Sequence, residues 1–178
     1  MALKNTEAGY GWLAKLLHWV IAGLVFYLIY LGLEGSSLES GDEKSALRAL
    51  HKSVALLTLT LMTVRLVWRL ANSRPADPPE TPGWQNAAAL WAHRAIYAAV
   101  YFQLTVGILV AGQRPIPFFG LFEIGPLLAE NREQHEFFES LHEVGWIVIA
   151  LLVGIHVLAA LYHHLIRKND VLKRMTTG

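Results

Sequence analysis

The chain has 178 residues, of which 54% are hydrophobic and only 16% charged, against about 25% charged in an ordinary soluble domain. That balance points to a membrane protein, and the net charge of +1 informs only through its distribution along the chain. Cysteine is absent, which excludes disulfides, thiolate catalysis, iron–sulfur clusters, thiolate-ligated haem and covalently attached c-type haem. Metal chemistry is left to eight histidines: His18, His51, His93, His135, His142, His156, His163 and His164.

A hydrocarbon core of about 30 Å takes roughly 20 helical residues to cross. Four apolar stretches are long enough, near 13–33, 50–70, 90–112 and 145–165. The first is too long for a signal peptide and lacks a small-x-small cleavage site, so it is expected to be retained. The connection 71–84 carries Pro75, Pro78, Pro79 and Pro82 and reads as an extended loop. Segment 113–141 opens with Pro115 and Pro117, holds Phe118, Phe119 and Phe122, and ends in acidic sequence of helical character. The whole chain, 1–178, reads as a single all-α membrane domain of four transmembrane helices.

Lys and Arg set the orientation. One side carries ten of them: Lys4, Lys15, Arg65, Arg69, Arg74, Arg94, Arg167, Lys168, Lys173 and Arg174. The other carries five: Lys44, Arg48, Lys52, Arg114 and Arg132. Both termini are therefore expected in the cytoplasm. Trp12, Trp84, Trp91 and Trp146 fall near the expected span ends, where interfacial anchors belong.

Histidine inside a span is costly and marks function. His142 and His156 stand 14 residues apart, a rise of roughly 21 Å, and both face the same side of the fourth helix. His51 opens the second span level with His142, and His18 lies at the depth of His156. Depth alone thus pairs His51 with His142 and His18 with His156. A bis-histidine pair on facing helices suits haem iron, whereas zinc wants three or four ligands at one point. Arg65, 14 residues beyond His51, is placed either to meet a haem propionate or to snorkel to headgroups. Gly107, Gly145 and Gly154 can open room for a porphyrin face or simply let helices approach. His135 sits among glutamates and reads as solvated, and His93 begins the third span on the inner side. His163 and His164, about two turns past His156, are candidates to bind a quinone carbonyl or relay its protons.

Several segments resemble the bacterial cytochrome b561 family of small four-helix di-haem inner-membrane proteins. They are Leu17-His18-Trp19, Leu50-His51-Lys52-Ser53, Ser140-Leu141-His142-Glu143 with Gly145, and Gly154-Ile155-His156 through Ala159-Ala160-Leu161-Tyr162-His163-His164 to Asn169-Asp170. The resemblance implies a four-helix bundle enclosing two b haems, with iron held by His18, His51, His142 and His156. It also implies an oxidoreductase resembling superoxide oxidases, which pass an electron from superoxide at the outer face to ubiquinone. The alternative is an electron-carrier subunit docking on a periplasmic redox protein through the acidic, aromatic outer loop and exchanging electrons with the quinone pool. The expected partners are the lipid bilayer, ubiquinone and superoxide or that redox protein, with no nucleic acid.

Overall fold

The computed structural model describes residues 2–7, 9–77 and 81–177; Pro78, Pro79 and Gly178 lie outside the described residues. Four long α-helices dominate: α1 (Trp12–Ser37), α2 (Asp42–Leu70), α3 (Gly83–Ala111) and α4 (Arg132–Leu161). All four are long and apolar enough to cross a membrane. The fold is thus the all-α transmembrane class that the sequence indicates.

The helices overrun the expected spans. α2 begins at Asp42 rather than near residue 50, and α4 at Arg132 rather than near 145. Polar turns extend both helices beyond their apolar runs, and local chemistry supports them. Asp42 and Glu43 occupy the first turn of α2 and Arg69 its last, each complementing the helix dipole. Asn131 caps α4, its Oδ1 accepting from Gln134 N at 3.0 Å. Past α4 the chain loosens into a π-turn over Tyr162–Ile166, where Arg167 N donates to Tyr162 O, and Lys168 ends it at φ 53°.

Segment 113–141 holds an element that the sequence reading does not contain. β1 (Ile116–Phe118) and β2 (Phe122–Ile124) form an antiparallel hairpin in which Phe118 pairs with Phe122. Its turn places Phe119 at φ 50° and Gly120 at φ 72°, and Leu121 N donates to Phe118 O.

Chain contacts group into two compact units, Met1–Val20 with Thr63–Ala99 and Val148–Gly178, and Ile21–Met62 with Val100–Ile147. In the first, the ends of the chain interlock with the α2–α3 connection. Asn5 Nδ2 donates to Ser73 O, Ala76 N to Glu7 O, Arg174 to Ala76 O and Trp19 Nε1 to Met175 O. In the second, Leu31, Val54, Leu104, Val106 and Ile116 are buried, and the hydroxyl of buried Thr58 donates to Val54 O. Large apolar side chains such as Val67, Leu151, Ile155 and Leu158 are outward and exposed, the reverse of a soluble fold and the pattern of a lipid-facing surface.

Candidate functional site: two imidazole pairs

The second unit holds His51 of α2 and His142 of α4 with ring centres 6.3 Å apart and planes at 77°. The first holds His18 of α1 and His156 of α4 with the same 6.3 Å between ring centres and planes at 71°. His51 thus neighbours His142, and His18 neighbours His156. A ligating imidazole nitrogen lies about 2.0–2.1 Å from its metal and roughly 1.1 Å from its own ring centre, so two imidazoles trans across one metal have centres roughly 6.3 Å apart. Both pairs have that spacing. Among the described residues no three His, Asp or Glu side chains converge as a closed zinc site requires.

The surroundings of the His51 pair are built to aim the rings. His51 turns its Cε1–Nδ1 edge to Gly32, where an added Cβ would sit 3.6 Å from Cε1. His142 packs more tightly on Gly107, at 2.9 Å from Cε1 and 3.4 Å from Nδ1 by the same construction. Both Nδ1 atoms are buried without closing a hydrogen bond of good geometry. The backbone groups of the residues four before each glycine, Leu28 and Gln103, lie near the imidazoles. A metal-ligating histidine commonly turns its second nitrogen to a carbonyl, which fixes tautomer and ring orientation. Gln103 also fixes the backbone of His142, donating from Nε2 to its carbonyl at 2.9 Å.

Two other glycines differ in their surroundings. An added Cβ at Gly145 would come within 1.9 Å of Gln103 Oε1, so that glycine admits an amide side chain and lets the helices approach. At Gly154 an added Cβ meets nothing within 4 Å.

The His18 pair has company that spacing did not indicate. The ring of His93 lies 5.1 Å from that of His156, so the third helix delivers an imidazole to this site and to no comparable place beside His51. Tyr97, one turn further along α3, accepts a 2.7 Å hydrogen bond from Arg65 Nε. The Arg65 and Arg69 guanidiniums lie 5.9 and 5.3 Å from its ring centre. Arg65 is therefore tied to Tyr97 of α3. The i, i+4 spacing of His93 and Tyr97 puts both on one face of α3 but does not show which histidine that face meets.

His163 and His164 separate in the π-turn. His163 is half-buried and its Nδ1 lies 2.9 Å from Asn169 Nδ2, while His164 is exposed. A concave pocket beside them is lined by Arg167, Lys168, Asn169 and Asp170. In the second unit, Arg48 and Arg114 lie close enough for their charges to act on Lys52, which follows His51 directly. His135 is half-buried on the first turn of α4.

Comparison with known proteins decides the family. The sequence profile of the prokaryotic cytochrome b561 family matches residues 9–178. The chain belongs to that family. It is 33% identical over 181 residues to cytochrome b561 homolog 2 of Escherichia coli (strain K12), covering 98% of this chain and 95% of that protein. It is 29% identical over 164 residues to cytochrome b561 homolog 1 of the same organism, covering 89% and 92%. As a cytochrome b561 the protein is a membrane electron carrier of the oxidoreductase type, and the family implies haem b as its cofactor.

Proposed function

We propose that the whole chain works as one di-haem domain, passing single electrons from superoxide on the periplasmic side of the inner membrane to ubiquinone near the cytoplasmic side. The observation that carries this reading is the repeated 6.3 Å spacing of two separate imidazole pairs. His51 and His142 hold one haem, and His18 and His156 the other. When bound, haem b supplies reversible one-electron storage at its iron. Both termini are cytoplasmic, which puts the His51 pair outermost.

The chain's own residues supply the rest. Arg48, Lys52 and Arg114 gather positive charge beside His51 and attract a small anion. Gly32 and Gly107 let the His51 and His142 rings seat against neighbouring helices, so ligand orientation is set before any donor arrives. Arg65, anchored through Nε to Tyr97, has its terminal nitrogens to offer a haem propionate. Near the cytoplasmic end, His163 is the stronger quinone candidate, because Asn169 fixes its ring beside the pocket, and His164 points outward. Quinone reduction consumes protons as well as electrons, and imidazole exchanges protons near neutral pH.

A second reading makes the protein an electron carrier served by a periplasmic redox partner. The exposed carboxylates Glu130 and Glu136, held by Arg114 and Arg132, favour it as a docking edge. Stopped-flow mixing of oxidised protein with superoxide separates the two. Reduction of the haem bands faster than superoxide dismutates supports the first reading. Bands that stay oxidised refute it and leave the carrier.

A further inference from the structure

The β1–β2 hairpin takes no part in the imidazole sites, yet it is firmly placed. Ser53 of α2 is 2% exposed and its Oγ accepts from Phe119 N at 2.9 Å. The single hydroxyl proton is shared between the carbonyls of Ala49 at 2.9 Å and Pro117 at 3.0 Å. Ile116 is buried beneath the hairpin at 2% exposure. One strand is thus pinned to a definite level of α2.

That level carries information. The charged opening of α2, from Asp42 to Arg48, ends just before it, and from Ala49 to Val64 the only charged residue is Lys52, beside His51, in a run otherwise of apolar residues with Ser53, Thr58, Thr60 and Thr63. The hairpin backbone therefore lies against the first turn of the apolar run, where the headgroup region gives way to acyl chains. Its free surface matches that position. Phe119, Leu121 and Phe122 are 45%, 76% and 52% exposed, and Ile124 and Leu127 continue the patch. Phe118 stacks on Phe122 with ring centres 4.9 Å apart and meets Phe119 edge-on. From Pro115 to Ala129 the only charge is Glu123.

We propose that this hairpin is an interfacial anchor, its Phe119–Phe122 tip inserted in the lipid of the leaflet at the His51 end. An exposed patch this apolar, at this depth, suits contact with lipid rather than with water. Aromatic side chains favour the headgroup level, and each large apolar side chain removed from water stabilises the inserted position. The anchored hairpin packs on α2 at Ser53, two residues from His51, leaving Arg48, Lys52 and Arg114 as the polar approach to that pair.

The absence of cysteine makes the test direct. Single variants Leu121→Cys and Phe122→Cys are labelled with a nitroxide in the haem-loaded protein and reconstituted into phospholipid vesicles. Glu43→Cys serves as an aqueous reference and Leu151→Cys as a hydrocarbon reference. Collision rates are measured with oxygen, which concentrates in lipid, and with a water-soluble nickel chelate. The oxygen-to-nickel ratio at Leu121 and Phe122 is expected several-fold above that at Glu43, toward the Leu151 value. A ratio equal to that at Glu43 at both positions overturns the proposal and makes the hairpin a water-facing surface for a soluble partner. The readout involves no electron transfer, so failure of the proposed electron route leaves it intact.

Discussion

Substituting alanine for glycine along these helices tests whether the His51–His142 pair is held by backbone contact. At Gly107 the new Cβ would lie 2.9 Å from His142 Cε1, 3.4 Å from Nδ1 and 3.8 Å from Nε2. Carbon atoms prefer about 3.5–4.0 Å, so the imidazole has to retreat by roughly half an ångström or the helices part. Overpacking of this kind typically costs about 1–3 kcal/mol. The ring is not free to retreat cheaply, because Gln103 ties the carbonyl of His142 at 2.9 Å. At Gly32 the corresponding contact is an ordinary 3.6 Å, and at Gly154 nothing lies within 4 Å. Gly107→Ala is therefore expected to shift the absorbance and midpoint potential of the haem component that His142→Ala abolishes, and to lower the melting temperature of the haem spectrum. Gly32→Ala is expected to do little and Gly154→Ala nothing at the haems. Redox titration followed in the visible region, with thermal melts, reads all three. Equal spectra and potentials for Gly107→Ala and Gly154→Ala would refute the reasoning, as would a shift confined to the other haem component.

Three further outcomes are expected. Tyr97→Phe removes the acceptor of Arg65 Nε; a hydrogen bond to a charged group is worth about 1.5–3 kcal/mol, so redox titration should show a shift in the His18–His156 component alone. His163→Ala should leave haem spectra and superoxide reduction intact while slowing reoxidation by ubiquinone in stopped flow, and His164→Ala should slow it less; unchanged reoxidation in both and in the double variant moves the quinone site elsewhere, with His93 and Arg94 next. Reporter fusions after Ser40 and Arg132 should behave as periplasmic and those after Asp77 and Gly178 as cytoplasmic, and a cytoplasmic signal at Arg132 would reverse the outer and inner assignment.

The parts legible in the sequence are those governed by helical periodicity. Fourteen residues between His142 and His156 bring both rings to one face, and apolar run lengths fix the depths of His18 and His51. The same regularity explains the misses. Helix ends are set by caps and dipoles, so α2 and α4 run into charged sequence that hydropathy assigns to loops. The hairpin has strands of three residues, too short for alternation to show, and it is stabilised by a serine from a distant helix. His93 looked like an isolated histidine because only packing of α3 against α4 brings it to His156. For Gly145 the sequence leaves two readings, room for a ring or close helix approach, because it shows a missing side chain without showing that Gln103 fills the gap. The π-turn over Tyr162–Ile166 is not legible in the sequence, which offers His163 and His164 alike without showing that the first is half-buried and the second exposed.

The central claim is two haems on two imidazole pairs, and one measurement meets it directly: haem content by pyridine haemochrome, with optical spectra of the four single variants His18→Ala, His51→Ala, His142→Ala and His156→Ala. Two b haems per chain are expected in the parent protein, with two classes of variant, His51 and His142 removing one spectral component and His18 and His156 the other. One haem per chain, or the same component lost from His18→Ala and His51→Ala, would contradict it.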